Sequence, residues 1–138
     1  MRKFIFSISI FFLLFAFSSS INAQEKKVRI DVLYFHATTR CHGCLTIEEY
    51  IKNSMNAVFS IEMKDSLIVS SSIDFQQTEN EHFQDDYKFE SQTLILSKKV
   101  NGKEVKWKNL DKIWDYSSDY QKFQKYIEDE INKFIKES

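Results

Sequence analysis

The chain has 138 residues, with 2 cysteines, 2 glycines and no proline. So few cysteines exclude a disulfide-scaffolded miniprotein, and the scarcity of glycine and proline excludes collagen-like and linker-type chains; a cis X-Pro turn is impossible throughout. Nineteen basic against twenty acidic residues leave a net charge of -1, so no field favours nucleic acid or an anionic membrane, and the length predicts a single domain.

The first 23 residues differ from the rest. Met1-Arg2-Lys3 is a basic start, Phe4 to Phe17 is apolar apart from Ser7 and Ser9, and Ser18 to Ala23 is a small, polar exit. This three-part pattern predicts a secretory signal peptide cut after Ala23. The apolar run of about 14 residues is short of the ~20 that span a bilayer. The alternative is an uncleaved anchor, and the membrane would then be touched only through this segment. No cysteine follows the run, so lipoprotein attachment there is excluded. Cleavage leaves 115 residues with a net charge of -3, enough for one core. The expected place is periplasmic or extracellular, where thiols are oxidised unless something keeps them reduced.

Val28 to Phe35 alternates and then becomes continuously apolar, as a central strand does. Residues 36–40 are a polar loop. Cys41 opens a predicted helix to about Phe59, with Cys44, Ile47, Ile51, Met55 and Val58 inward and Glu48–Lys52 as an i,i+4 pair on the wet side. Leu67 to Phe75 is a second strand. Thr78 is the expected cap of a short helix from Glu79 to Tyr87, with Glu81 in the capping-box position. Thr93 to Leu96 is a third strand, Asn101-Gly102 a hairpin turn, and Val105 and Trp107 mark a fourth strand. Leu110, Ile113 and Trp114 suggest a turn of helix. Ser118 is the expected cap of the last helix, where Tyr120, Phe123, Ile127, Ile131 and Phe134 recur every three or four residues. The order β-α-β-α-β-β-α predicts a four-stranded mixed α/β sheet with helices on both faces, parallel at the first crossover and antiparallel at the hairpin.

Cys41-His42-Gly43-Cys44 is the one chemical motif. A structural disulfide is the first reading, although so short a loop stabilises by only about 2 kcal/mol. A soft-metal site is the second, with Cys41, Cys44 and His42 (or His36) holding Zn(II), Cu(I) or As(III). Structural zinc needs four ligands, and there is no second cysteine pair. A redox dithiol is the third, and it is favoured by position. The motif follows an apolar strand and opens a helix, where free N–H groups and the positive helix end stabilise a thiolate. Arg40 and a protonated His42 would add to that field. Cys41 at the exposed tip would attack, Cys44 on the core face would resolve, and Gly43 would let the backbone turn between them.

Strand, loop, Cys-x-x-Cys, helix, strand and hairpin over residues 28–136 resemble the thioredoxin-like superfamily. Glu90 to Leu96 followed by Asn101-Gly102-Lys103 looks like the strand and hairpin that face the active-site helix in thioredoxins. That resemblance implies that Gln92 and Thr93 face substrate. Tyr34 to Glu48 is similar, more narrowly, to a small exported bacterial family labelled "nitrophenyl compound nitroreductase subunit ArsF family". The chain has no flavin- or nucleotide-binding motif to go with that label. Two departures stand out. The cis-proline of most thioredoxins is replaced by Gln92, and the buried carboxylate found in many, six residues before the first cysteine, is replaced by Phe35. His36 beside it is a candidate proton carrier or a solvent-facing strand end.

The expected activity is thiol–disulfide exchange with a protein or small-molecule disulfide partner, with a membrane thiol reductase as a candidate partner and no cofactor beyond the Cys41–Cys44 disulfide. His82 among Asn80, Glu81, Gln84, Asp85 and Asp86 reads as a solvated helix face. Trp107 and Trp114 read as core or edge aromatics, and Glu128, Asp129 and Glu130 as the wet side of the last helix.

Overall fold

The computed structural model describes residues 26–137. The segment expected to direct export, residues 1–23, lies outside them. The elements are β1 (Val28–His36), α1 (His42–Val58), α2 (Ser60–Lys64), β2 (Ile68–Asp74), α3 (His82–Tyr87), β3 (Thr93–Val100), β4 (Lys103–Asn109), a 3-10 turn (Asp111–Trp114) and α4 (Tyr120–Lys136). The sheet order is β2-β1-β3-β4. β1 and β2 are parallel, as the α1 crossover requires, while β1–β3 and β3–β4 are antiparallel.

β1 is central, and its two faces enter two cores. Ile30, Val32 and Tyr34 pack with Ile47, Ile51 and Met55 of α1, Phe123, Ile127 and Ile131 of α4, and Leu94 and Leu96 of β3. Leu33 and Phe35 join Phe75, Tyr87, Phe89 and Ile95 on the other face, with Phe83 of α3 packed against them. There the Phe35 ring lies 4.9 Å from Phe89 and 5.1 Å from Phe83, centroid to centroid. Helices therefore cover both faces of a four-stranded mixed sheet, the arrangement expected from the order of elements. The aromatic packing also accounts for Phe35, which is wholly buried in that cluster.

Local signals and tertiary structure diverge at three places. The helix expected to about Phe59 does end there, at Val58 with Phe59 as its cap, but a separate short helix, α2, follows it unannounced. The expected Thr78 capping box does not form: α3 begins at His82, and no side chain caps it. Asp74 competes for that segment, accepting from the Gln76 amide at 3.0 Å and Gln77 Nε2 at 3.0 Å, while its carbonyl takes Asn80 Nδ2 at 2.9 Å. Asp119 rather than Ser118 caps α4, its Oδ1 accepting from the Lys122 amide at 3.1 Å. A carboxylate satisfies the free amides and also complements the helix dipole. At the hairpin, Asn101 and Gly102 have φ of 52° and 81°, the left-handed pair that a type I′ turn needs.

Candidate functional site

The end of β1 delivers the loop that carries the dithiol. Thr38 holds that loop to the end of β2: its hydroxyl donates to Asp74 Oδ2 at 2.7 Å, and its amide donates to Gln76 Oε1 at 2.9 Å. Hydrogen bonds from Gln77 and Thr38 keep the Asp74 carboxyl below its ordinary range. Nothing in the local sequence around Thr38 marked this tie.

Cys41 is the N-cap of α1, with extended backbone (φ -80°, ψ 166°). Its Sγ accepts from the Cys44 amide at 3.2 Å. The two cysteines form a disulfide, with Cα atoms 5.2 Å apart. They are not equivalent. Cys41 is exposed, whereas Cys44 is 3% exposed and faces the core. Tyr34 supports the buried member, its hydroxyl donating to the Cys44 carbonyl at 3.1 Å. Burial, and then the nearby Glu48 carboxylate, push the Tyr34 hydroxyl up to about 12 against the opposing pull of Arg40, so it stays a donor at neutral pH.

Arg40 is half-buried, and its hydrogen bonds run inward. Nη1 pairs with Glu48 Oε2, and Nη2 meets His36 Nε2. Glu48 Oε1 also accepts from Ser72 Oγ at 2.5 Å, so Glu48 turns to Arg40 and Ser72 rather than to Lys52. His36 is buried rather than solvent-facing. Its Nδ1 lies 3.0 Å from the Ala37 carbonyl. Arg40 Nε donates to the same Nδ1 at 3.2 Å, so the guanidinium meets both ring nitrogens. His42 is exposed on the first turn of α1.

Gly43 is not a left-handed position, since Gly102 alone among the glycines has positive φ. It lies within the regular first turn of α1, so the expected tight turn between the cysteines is an ordinary helical one. What the glycine leaves is space. A side chain there would sit 3.8 Å from Cys41 Sγ and 3.9 Å from Trp114 Cζ3. Trp114 in turn donates its indole N–H to the Gln92 carbonyl at 3.1 Å. Gln92 and the dithiol are thus brought to one place through an aromatic ring that reads, in the sequence, as a core or edge residue. Thr93 is buried at the start of β3, and its hydroxyl donates to Asn109 Oδ1 at 2.5 Å.

The remaining polar and aromatic candidates make ordinary surface and packing contacts. His82 and Asp86 are exposed partners 3.9 Å apart. Asp129 pairs with Lys125, and Glu130 with Lys108. Trp107 packs against Tyr87 with centroids 5.5 Å apart. Among the described residues no three His, Cys, Asp or Glu side chains converge as an ion site would need. No described helix is long and apolar enough to cross a membrane.

No protein-family model and no curated protein matches the chain. Among solved structures, one titled "Structure of a malarial protein" is similar at 21% identity over 59% of this chain and 80% of its own, with a TM-score of 0.39. What fold and site define is a mixed α/β domain bearing a Cys-x-x-Cys disulfide at a helix N-terminus. That spacing and contact are compatible with a redox-active thiol pair.

Proposed function

We propose that this protein is an exported, thioredoxin-like thiol–disulfide oxidoreductase. The observation that carries the reading is the inequality of the two sulfurs: Cys41 exposed at the N-cap, Cys44 buried one turn inside. The Cys44 amide already donates to Cys41 Sγ. Together with the positive helix end, that bond favours the thiolate once the disulfide opens.

In the reducing direction, the Cys41 thiolate attacks one sulfur of a partner disulfide. A mixed disulfide forms, and the other partner sulfur leaves as a thiolate and takes a proton. The Cys44 thiolate then attacks Cys41 Sγ, closes the internal disulfide and releases the second partner thiol. Two electrons pass from the dithiol to the partner, and the oxidising direction is the same sequence reversed. An external electron source, such as a membrane thiol reductase, would recharge a reductant outside the cytoplasm.

Unequal sulfurs predict unequal variants. Cys44→Ser should trap mixed disulfides through Cys41, and Cys41→Ser should trap none. Trapping by neither, or by both equally, would overturn the reading. Equal dependence on both cysteines, with Cu(I) or As(III) shielding both from alkylation, would replace it with a soft-metal site.

A further inference from the structure

Trp114 is an exposed tryptophan in a place where packing does not require one. Its neighbour Ile113 supplies the buried contact of the 3-10 turn at 0% exposure, while Trp114 itself is 36% exposed. Its N–H is committed to the Gln92 carbonyl. That bond sets the ring's orientation and leaves only apolar face and edge for a further contact. The ring and Cys41 Sγ flank the bare surface of Gly43, each within 4 Å of where a side chain would begin. Leu45, one helical turn beyond Cys41, is 49% exposed. From His36 to Leu45 the one fixed charge is Arg40, and it is paired with Glu48.

We propose that Trp114 is the specificity-determining residue of the exchange site. Its indole selects polypeptide disulfides that carry an aromatic or apolar side chain beside the attacked cysteine. The inference rests on the thiol–disulfide reading above. In the mixed disulfide, the partner sulfur is bonded to Cys41 Sγ, and the residue next to that sulfur falls over Gly43. The missing side chain leaves a path from the sulfur to the ring. An aromatic neighbour on the partner gains contact with the indole, a contact that a small disulfide without such a side chain cannot make.

The test uses the full-length protein, reduced and freed of reductant, and two synthetic peptides with an internal disulfide that differ only in Phe or Ser beside the first cysteine. The reading is the ratio of second-order rate constants. We expect a preference of about tenfold for the Phe peptide, equivalent to about 1.4 kcal/mol. Trp114→Ala should bring the ratio close to one. Trp114→Phe, which keeps a ring and loses the N–H, should retain most of it. A purely structural role would change both rates together and leave the ratio alone. A wild-type ratio near one overturns the proposal without any variant, and so does an unchanged ratio in Trp114→Ala. If the wild-type protein reacts with neither peptide, the exchange reading itself fails, and this inference with it.

Discussion

Arg40 and Glu48 are paired across the turn that presents the dithiol, Nη1 against Oε2, and the pair is half-buried. The positive charge next to Cys41 in the chain is therefore balanced by a carboxylate rather than offered to the thiolate. Glu48→Gln should unmask it, and alkylation of the reduced protein at neutral pH should speed up by about threefold. Arg40→Gln leaves Glu48 uncompensated and should slow alkylation by a similar factor. The check is the rate of Cys41 modification by iodoacetamide against pH. Shifts of the same sign in both variants would sink this electrostatic account.

Tyr34 makes stability sensitive to alkali. Its hydroxyl is buried beneath Cys44, and burial raises it from 10.0 to about 12. In the unfolded chain the proton leaves first, so between those values the native state binds more protons and stability falls as pH rises. The contribution is complete below about pH 10 and is lost by about pH 12, to a total of at most about 3 kcal/mol. Tyr87 and Tyr126 are raised chiefly by burial too and act with the same sign. Denaturant titrations across this window should show Tyr34→Phe with a shallower decline than wild type. At neutral pH the same variant should be about 1 kcal/mol less stable, for the lost hydrogen bond. Parallel curves would mean that Tyr34 is not the group responsible.

Much of this site was legible along the chain because it is built from local periodicity. The spacing from Cys44 through Ile47, Ile51 and Met55 places the second cysteine on the core face and leaves Cys41 outside, as observed. The Asn101-Gly102 turn and the crossover after β1 set the sheet's pairings in the same way. What was not legible depends on contacts between distant segments. Glu48 has Lys52 at helical spacing, yet it turns to Arg40 and Ser72, because the β1 loop and β2 bring those groups to it. Asp74 draws Gln76, Gln77 and Asn80 into turns, and a capping box at Thr78 loses to them. No pattern relates Trp114 to Gly43. A residue in a 3-10 turn reaches the dithiol only because β3 and β4 return the chain to that end of the sheet.

Reduction should loosen the protein without unfolding it. The bond joins residues three apart in the chain, and closing so short a loop is worth about 2 kcal/mol. The cores around Phe35 and around Ile47, Ile51, Phe123 and Ile127 do not depend on it. Thermal melts followed by circular dichroism should show a reduced protein with its helix signal intact and a Tm lower by roughly 10 °C or less. Loss of cooperative folding on reduction would instead identify the disulfide as a structural staple, which a working redox pair cannot be.

Trp114 should also report the state of the dithiol optically. A disulfide close to an indole quenches its emission, and Trp114 shares the open surface of Gly43 with Cys41 Sγ. Trp107, the other tryptophan of the chain, is placed on β4 against Tyr87. Reduction should therefore raise the intrinsic fluorescence, and the rise should belong to one ring. Trp107→Phe is expected to keep the increase, and Trp114→Phe to abolish it while the protein still cycles between dithiol and disulfide. The increase should also vanish in Cys41→Ser, which has no disulfide to open. If it follows Trp107 instead, the indole of Trp114 is not beside the sulfur in solution, and its role in choosing partners loses its geometric basis.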